Sequence, residues 1–108
     1  MVTLSDFKKL ALKLEGTEEV PHFEKSSFRV KKRIFATLDE ISHRACLKLS
    51  ETDQSTFCCF DKTIIFPVPN KWGKQGWTYV ELSQVKKEML KDALQTAYNQ
   101  IAAKKNKQ

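Results

Sequence analysis

No apolar run in this sequence approaches the roughly 20 residues that a membrane helix needs. Residues that build special chemistry are also scarce. Cysteine occurs three times, as Cys46, Cys58 and Cys59. An odd number cannot pair fully, adjacent cysteines rarely bridge, and none has the C-x-x-C spacing of a zinc ribbon or redox motif. They read as reduced, partly buried thiols of a cytoplasmic protein. Of the two histidines, His22 has Glu24 two places on and His43 stands apart, with no third ligand at a metal-binding spacing. No metal and no cofactor are therefore expected. With three glycines there is no Gly-rich phosphate loop after a strand, no G-x-S-x-G elbow, and no histidine beside a natural nucleophile. No catalytic residue stands out, and the chain reads as a non-enzyme. The opening residues, amphipathic with an early Asp6, lack the basic-then-apolar order of a signal peptide.

What is present is charge, unevenly placed. The 108 residues suit one domain, residues 1–108, with about 104–108 as a frayed basic tail. The net charge is +6. Residues 28–49 hold six Lys or Arg against two acids, and residues 62–80 hold three Lys and no acid. Residues 50–61 carry three acids and no base, so the excess gathers in separate stretches. Such placement permits attraction to polyanions.

The pattern predicts an α+β fold. Thr3 and Asp6 form a capping-box-like pair before a helix whose apolar face is Leu4, Phe7, Ala11 and Leu14, stopped near Gly16. "EEVPHF" reads as an extended edge, because Pro21 cannot donate to a central ladder. "SSFRV" and "RIFATL" form a hairpin. An odd connection would put Phe28, Val30, Ile34, Ala36 and Leu38 on one face and Arg29, Phe35 and Thr37 on the other, so an odd loop is expected. "HRACLKL" alternates as a half-buried strand. Ser50 and Asp53 cap a short helix. "TIIFPVP" and "WTYVEL" are strands around the loop "NKWGKQG". A long closing helix starts near Ser83, with Val85, Met89 or Leu90, Ala93, Leu94, Ala97, Tyr98 and Ile101 as its stripe. The sum is a two-layer antiparallel sheet with the N- and C-terminal helices packed on one face.

The stretches "FRVKKRIFATL", "ACLKL", "WGKQGWTYVEL" and "AYNQIAAKK" together resemble the YjbR/MmcQ family, small bacterial proteins with a fold similar to bacterial frataxin (CyaY). The resemblance covers nearly the whole chain. It implies DNA binding by a double wing of hairpin-like loops. On that analogy Arg29, Lys31, Lys32 and Arg33 form one wing, and Lys71, Trp72 and Lys74 the other. Two positions depart from the family pattern. Its Gly-Lys turn is replaced by Lys32-Arg33, and its Ser-Tyr in the last helix by Ala97-Tyr98. Frataxins bind iron on an acidic ridge of the first helix. Here Asp6, Glu15, Glu18 and Glu19 are offset by three lysines, so iron is not expected.

The functional expectation is a cytoplasmic, non-catalytic protein that grips phosphate through two basic turns, with low sequence specificity because no recognition helix is evident. Trp77, at a strand start, is expected in the core, while Trp72 and Lys74 flank glycines that would let a partner approach. The alternative is a protein-interaction module without nucleic-acid binding. In it, a sheet face carrying Arg29, Phe35 and Arg44 docks an acidic protein or a second copy. No membrane partner is expected.

Overall fold

The computed structural model describes residues 2–22 and 25–104, with backbone alone at His22, Ala103 and Lys104. Glu24, the His22 side chain and the tail from residue 105 lie outside the described residues, and with them the His22–Glu24 pair and most of the basic tail.

Helix α1 spans Leu4–Leu12 and starts where expected, with the Thr3 hydroxyl accepting the Asp6 N–H at 3.0 Å. Four strands follow: β1 Glu18–His22, β2 Lys25–Val30, β3 Arg33–Asp39 and β4 Arg44–Lys48. Helix α2, Glu51–Cys58, is capped by Ser50, whose hydroxyl accepts the Asp53 N–H. Strand β5 is short, Ile65–Pro67, and β6 is Trp77–Glu81. Between them the expected loop holds a single helical turn, α3, Lys71–Lys74, because Asn70 accepts the Trp72 N–H at 2.8 Å and caps it. Helix α4 runs Lys87–Lys104, starting later than the apolar stripe suggested. The N–H groups of Gln84 and Val85 both donate to the Glu81 carbonyl, folding that stretch into a turn.

The six strands form one sheet ordered β1-β2-β3-β4-β6-β5, with every neighbour antiparallel. Phe28, Ala36, Leu38, Ala45, Leu47 and Val80 are buried on one face. There the Phe7 ring of α1 meets Phe28 edge-on at 5.6 Å, and Tyr98 of α4 meets Phe35 at 5.7 Å. Leu90, Ala93, Leu94, Ala97 and Ile101 complete the core from α4. The expected stripe is the one used. On the opposite face Arg29, Thr37, Cys46, Trp77 and Tyr79 stay half-buried.

The odd hairpin loop is not adopted. Only Lys31 and Lys32 join β2 to β3, both left-handed at φ 54° and 69°. Such a two-residue turn follows the natural twist of the strands. The apolar register is rescued instead by a bulge. Phe28 pairs with Ala36 but Arg29 pairs with Ile34, leaving Phe35 as the extra residue. Phe35 and Ala36 are therefore both buried, and Ile34 is only half-buried. Phe35 consequently leaves the Arg29 face on which it was expected.

Candidate nucleic-acid interface

Because each neighbouring pair is antiparallel, β2, β4 and β5 all run toward the same end of the sheet. The Lys31–Lys32 turn and the α3 segment therefore emerge at that one end. Three strand spacings separate the centres of the two connections in the sheet order, about 14 Å at roughly 4.8 Å per strand. The C-terminus of α4 reaches this end too, since Lys31 Nζ donates to the Ala102 carbonyl at 3.3 Å.

The first turn divides its charges. Lys32 and Arg33 are exposed and have no partner among the described residues. Lys31 is also exposed, but it is tied to the end of α4, where a cation also suits the helix dipole. Arg29 is not on the tip. It stands on the sheet face, donating to Glu18 at 3.3 Å, with its Nε buried and without a partner among the described residues. Left-handed backbone costs an L-residue about 1–2 kcal/mol, and this turn asks it of two lysines where Asn-Gly would be at ease.

The second tip is held firmly from behind. A side chain at Gly73 would bring its Cβ to 1.9 Å from the Val68 carbonyl oxygen, and one at Gly76 to 1.8 Å from that of Leu49. Gly76, at φ +105°, also accepts the Leu49 N–H at 2.9 Å through its carbonyl. Both glycines thus serve internal packing, contrary to the expectation that they clear space for a partner. Gln54 of α2 adds to this by donating Nε2–H to the Gly73 carbonyl (2.9 Å), the Thr78 hydroxyl (3.0 Å) and the Trp77 carbonyl (3.2 Å). On this backing Lys71 and Lys74 are exposed without partners among the described residues, and Trp72 is 51% exposed. An open hollow of about 570 Å³ lies between α2 and α3, with Lys74, Asn70 and Glu51 on its lining.

Trp77 is not a core residue. It lies half-buried on the open sheet face, directly across from Lys48. Lys48 reaches the Gln75 carbonyl at 2.7 Å and so binds the sheet to the second tip. Farther along that face Arg44 stacks over the rings of Tyr79 (4.7 Å) and Phe66 (5.6 Å) and pairs with Glu81 at 2.6 Å. Glu81 and the two rings already satisfy this guanidinium within the fold. Cys46 lies beside them, its thiol pushed up to about 11 by burial.

Gln54 was not singled out from the sequence. A glutamine in a short polar helix gives no signal of its own, and its role appears only once α2 lies beside the tip. Among the described residues no group of three His, Cys, Asp or Glu side chains could hold a metal ion. No helix among them is long and apolar enough to cross a membrane.

An antiparallel sheet covered by two helices on one side, with cations on the turns at one end, defines a small α+β two-layer domain. The chain belongs to the YjbR family, whose model matches residues 12–100. Its fold is similar to the crystal structure of Deinococcus radiodurans protein DR2400, described as a DUF419 domain, with a TM-score of 0.84 and 24% identity. That likeness covers 97% of this chain and 82% of the other. Among curated proteins, none matches this chain.

Proposed function

We propose that the protein binds nucleic acid through its phosphate backbone, without catalysing a reaction on it. Lys32 and Arg33 would make the contact from one tip, Lys71 and Lys74 from the other. The observation that carries this reading is the emergence of both tips at one end of the sheet with four exposed, unpartnered cations among the described residues. The connections that carry them lie about 14 Å apart at their centres, close to the roughly 12 Å width of the duplex major groove, a spacing that would let each tip meet one of the backbones bordering it. Trp72, exposed between Lys71 and Lys74, supplies a flat apolar face for a sugar or base. Lys31 and Arg29 act differently: Lys31 positions the first tip and Arg29 belongs to the sheet. Nothing at the tips resembles a base-reading helix, so binding is of low specificity, with a Kd of about 10⁻⁴ to 10⁻⁶ M at physiological salt.

Titration of labelled duplex DNA, single-stranded DNA and RNA at two salt concentrations tests the proposal. Retardation that weakens steeply with salt is expected. No binding of any of the three at low salt would reject it.

A protein partner is the second reading, favoured by the open sheet face with Ile34, Trp77, Tyr79 and Phe66 half-buried. Phe35 takes no part, being buried under α4. Self-association that persists at high salt, with no retardation of nucleic acid, would favour that reading.

A further inference from the structure

Lysine also crowds the other end of α4. Lys13, just past α1, meets Lys86, Lys87 and Lys91 around an open groove of about 440 Å³, with Leu10 in its lining and Glu88 as its acid. All four lysines are exposed, and none has an ion-pair partner among the described residues.

Within the fold this arrangement is unfavourable. Four like charges repel across one groove, and Lys86 and Lys87 stand at the positive end of the α4 dipole, where a cation costs stability. Among the described residues Glu88 is the one acid lining the groove. Glu88, in the first turn of α4, offsets only part of this excess. Four lysines answered by one acid break a local rule, which points to a role outside the fold, and the chemistry that would complete the compensation is a polyanion. The groove is also separate from the basic tips. From Lys87 to Ala102, where Lys31 attaches, α4 rises about 22 Å at 1.5 Å per residue. Between Lys91 and Ala102 it presents Asp92, Gln95 and Asn99 to solvent and contains no cation. One continuous contact along the helix is therefore interrupted.

We infer that the four-lysine groove is a second polyanion site, so that the protein bridges two nucleic-acid segments, one on the tips and one in the groove. This rests on the reading of the tips as phosphate contacts.

The test uses two short duplexes, one carrying a donor dye and the other an acceptor, mixed with the full chain at low salt. Energy transfer is expected with the wild type. In the Lys86→Gln/Lys87→Gln/Lys91→Gln variant, transfer should fall to background while single-duplex retardation persists. The same variant should melt slightly higher than the wild type, because the repulsion is relieved. Transfer that survives in this variant would overturn the proposal, as would a wild type that binds duplex without bridging. The complementary Lys32→Ala/Arg33→Ala/Lys71→Ala/Lys74→Ala variant separates the two claims. Weakened but salt-sensitive binding without transfer supports the groove. A complete loss of binding removes the groove and leaves the tips, whereas binding as tight as the wild type removes the tips and leaves the groove.

Discussion

The ammonium of Lys31 donates to the carbonyl oxygen of Ala102 across 71 positions of sequence, fastening the first basic turn to the last turns of α4. This one contact separates Lys31 from its neighbour Lys32, which has the same side chain and an adjacent place in the turn. The first is held by the fold, and the second has no partner among the described residues.

Alanine at the two positions should therefore act differently. Lys31→Ala loses a helix-end hydrogen bond and should cost about 0.5–1 kcal/mol. Lys32→Ala should leave stability within about 0.5 kcal/mol of wild type and weaken duplex binding instead. Urea unfolding of both variants, read beside a retardation titration, distinguishes them.

Lys32 also sits at φ 69°, where glycine has no Cβ to clash. Lys32→Gly should raise stability by about 1 kcal/mol and lower affinity in the same molecule. A higher urea midpoint with unchanged duplex binding would show that the lysine touches no phosphate.

The second tip depends on two glycines rather than on charge. Gly73→Ala and Gly76→Ala each drive a methyl group into a backbone carbonyl, and either should cost roughly 3 kcal/mol or more. Gln54→Ala removes a side-chain donor from the Gly73 and Trp77 carbonyls, which keep the N–H groups of Gly76 and Val68, and should cost about 0.5–1.5 kcal/mol. Denaturant midpoints for the three give the order directly.

The cysteines should differ in reactivity. Burial raises the Cys46 thiol to about 11 and raises that of Cys58 as well, whereas Cys59 is exposed. At pH 8 a thiol reagent should label Cys59 first and Cys46 last. The same shift affects stability. Up to the unfolded thiol value near 8.5 Cys46 takes nothing from the fold. Above it the unfolded chain ionises first, so stability falls as pH rises toward about 11. Comparison with Cys46→Ala between pH 8 and 11 isolates that loss from the titration of lysines and tyrosines.

The legible parts of the fold were those set by short-range patterns. Thr3 and Ser50 cap their helices, Pro21 lies on an edge strand, and the α4 stripe forms the core wall, because a hydroxyl, a missing N–H and a 3.6-residue period act locally. The hairpin was read less well. The apolar spacing around Phe28 and Leu38 is satisfied equally by an odd loop or by a tight turn plus a bulge at Phe35. Strand twist decides between them, and it is a property of the assembled sheet. Trp77 was misplaced for a related reason. Its position across from Lys48 follows from β6 pairing with β4, and β6 is separated from β4 in sequence by α2, β5 and α3. Gly73 and Gly76 looked like openings for a partner because the carbonyls they pack against, those of Val68 and Leu49, are chosen by tertiary structure. The clustering of charge at residues 28–49 and 62–80 was visible from the start. That the Lys31–Arg33 turn and the Lys71–Lys74 segment reach one end of the sheet required the strand order.

The salt dependence of duplex binding tests the central claim most directly. Each phosphate contact contributes about 0.9 to the slope of log K against log salt. Replacing Lys32, Arg33, Lys71 and Lys74 by alanine should flatten that slope by about 3.6, with the melting temperature nearly unchanged. A variant that folds normally and keeps the wild-type slope would contradict the account.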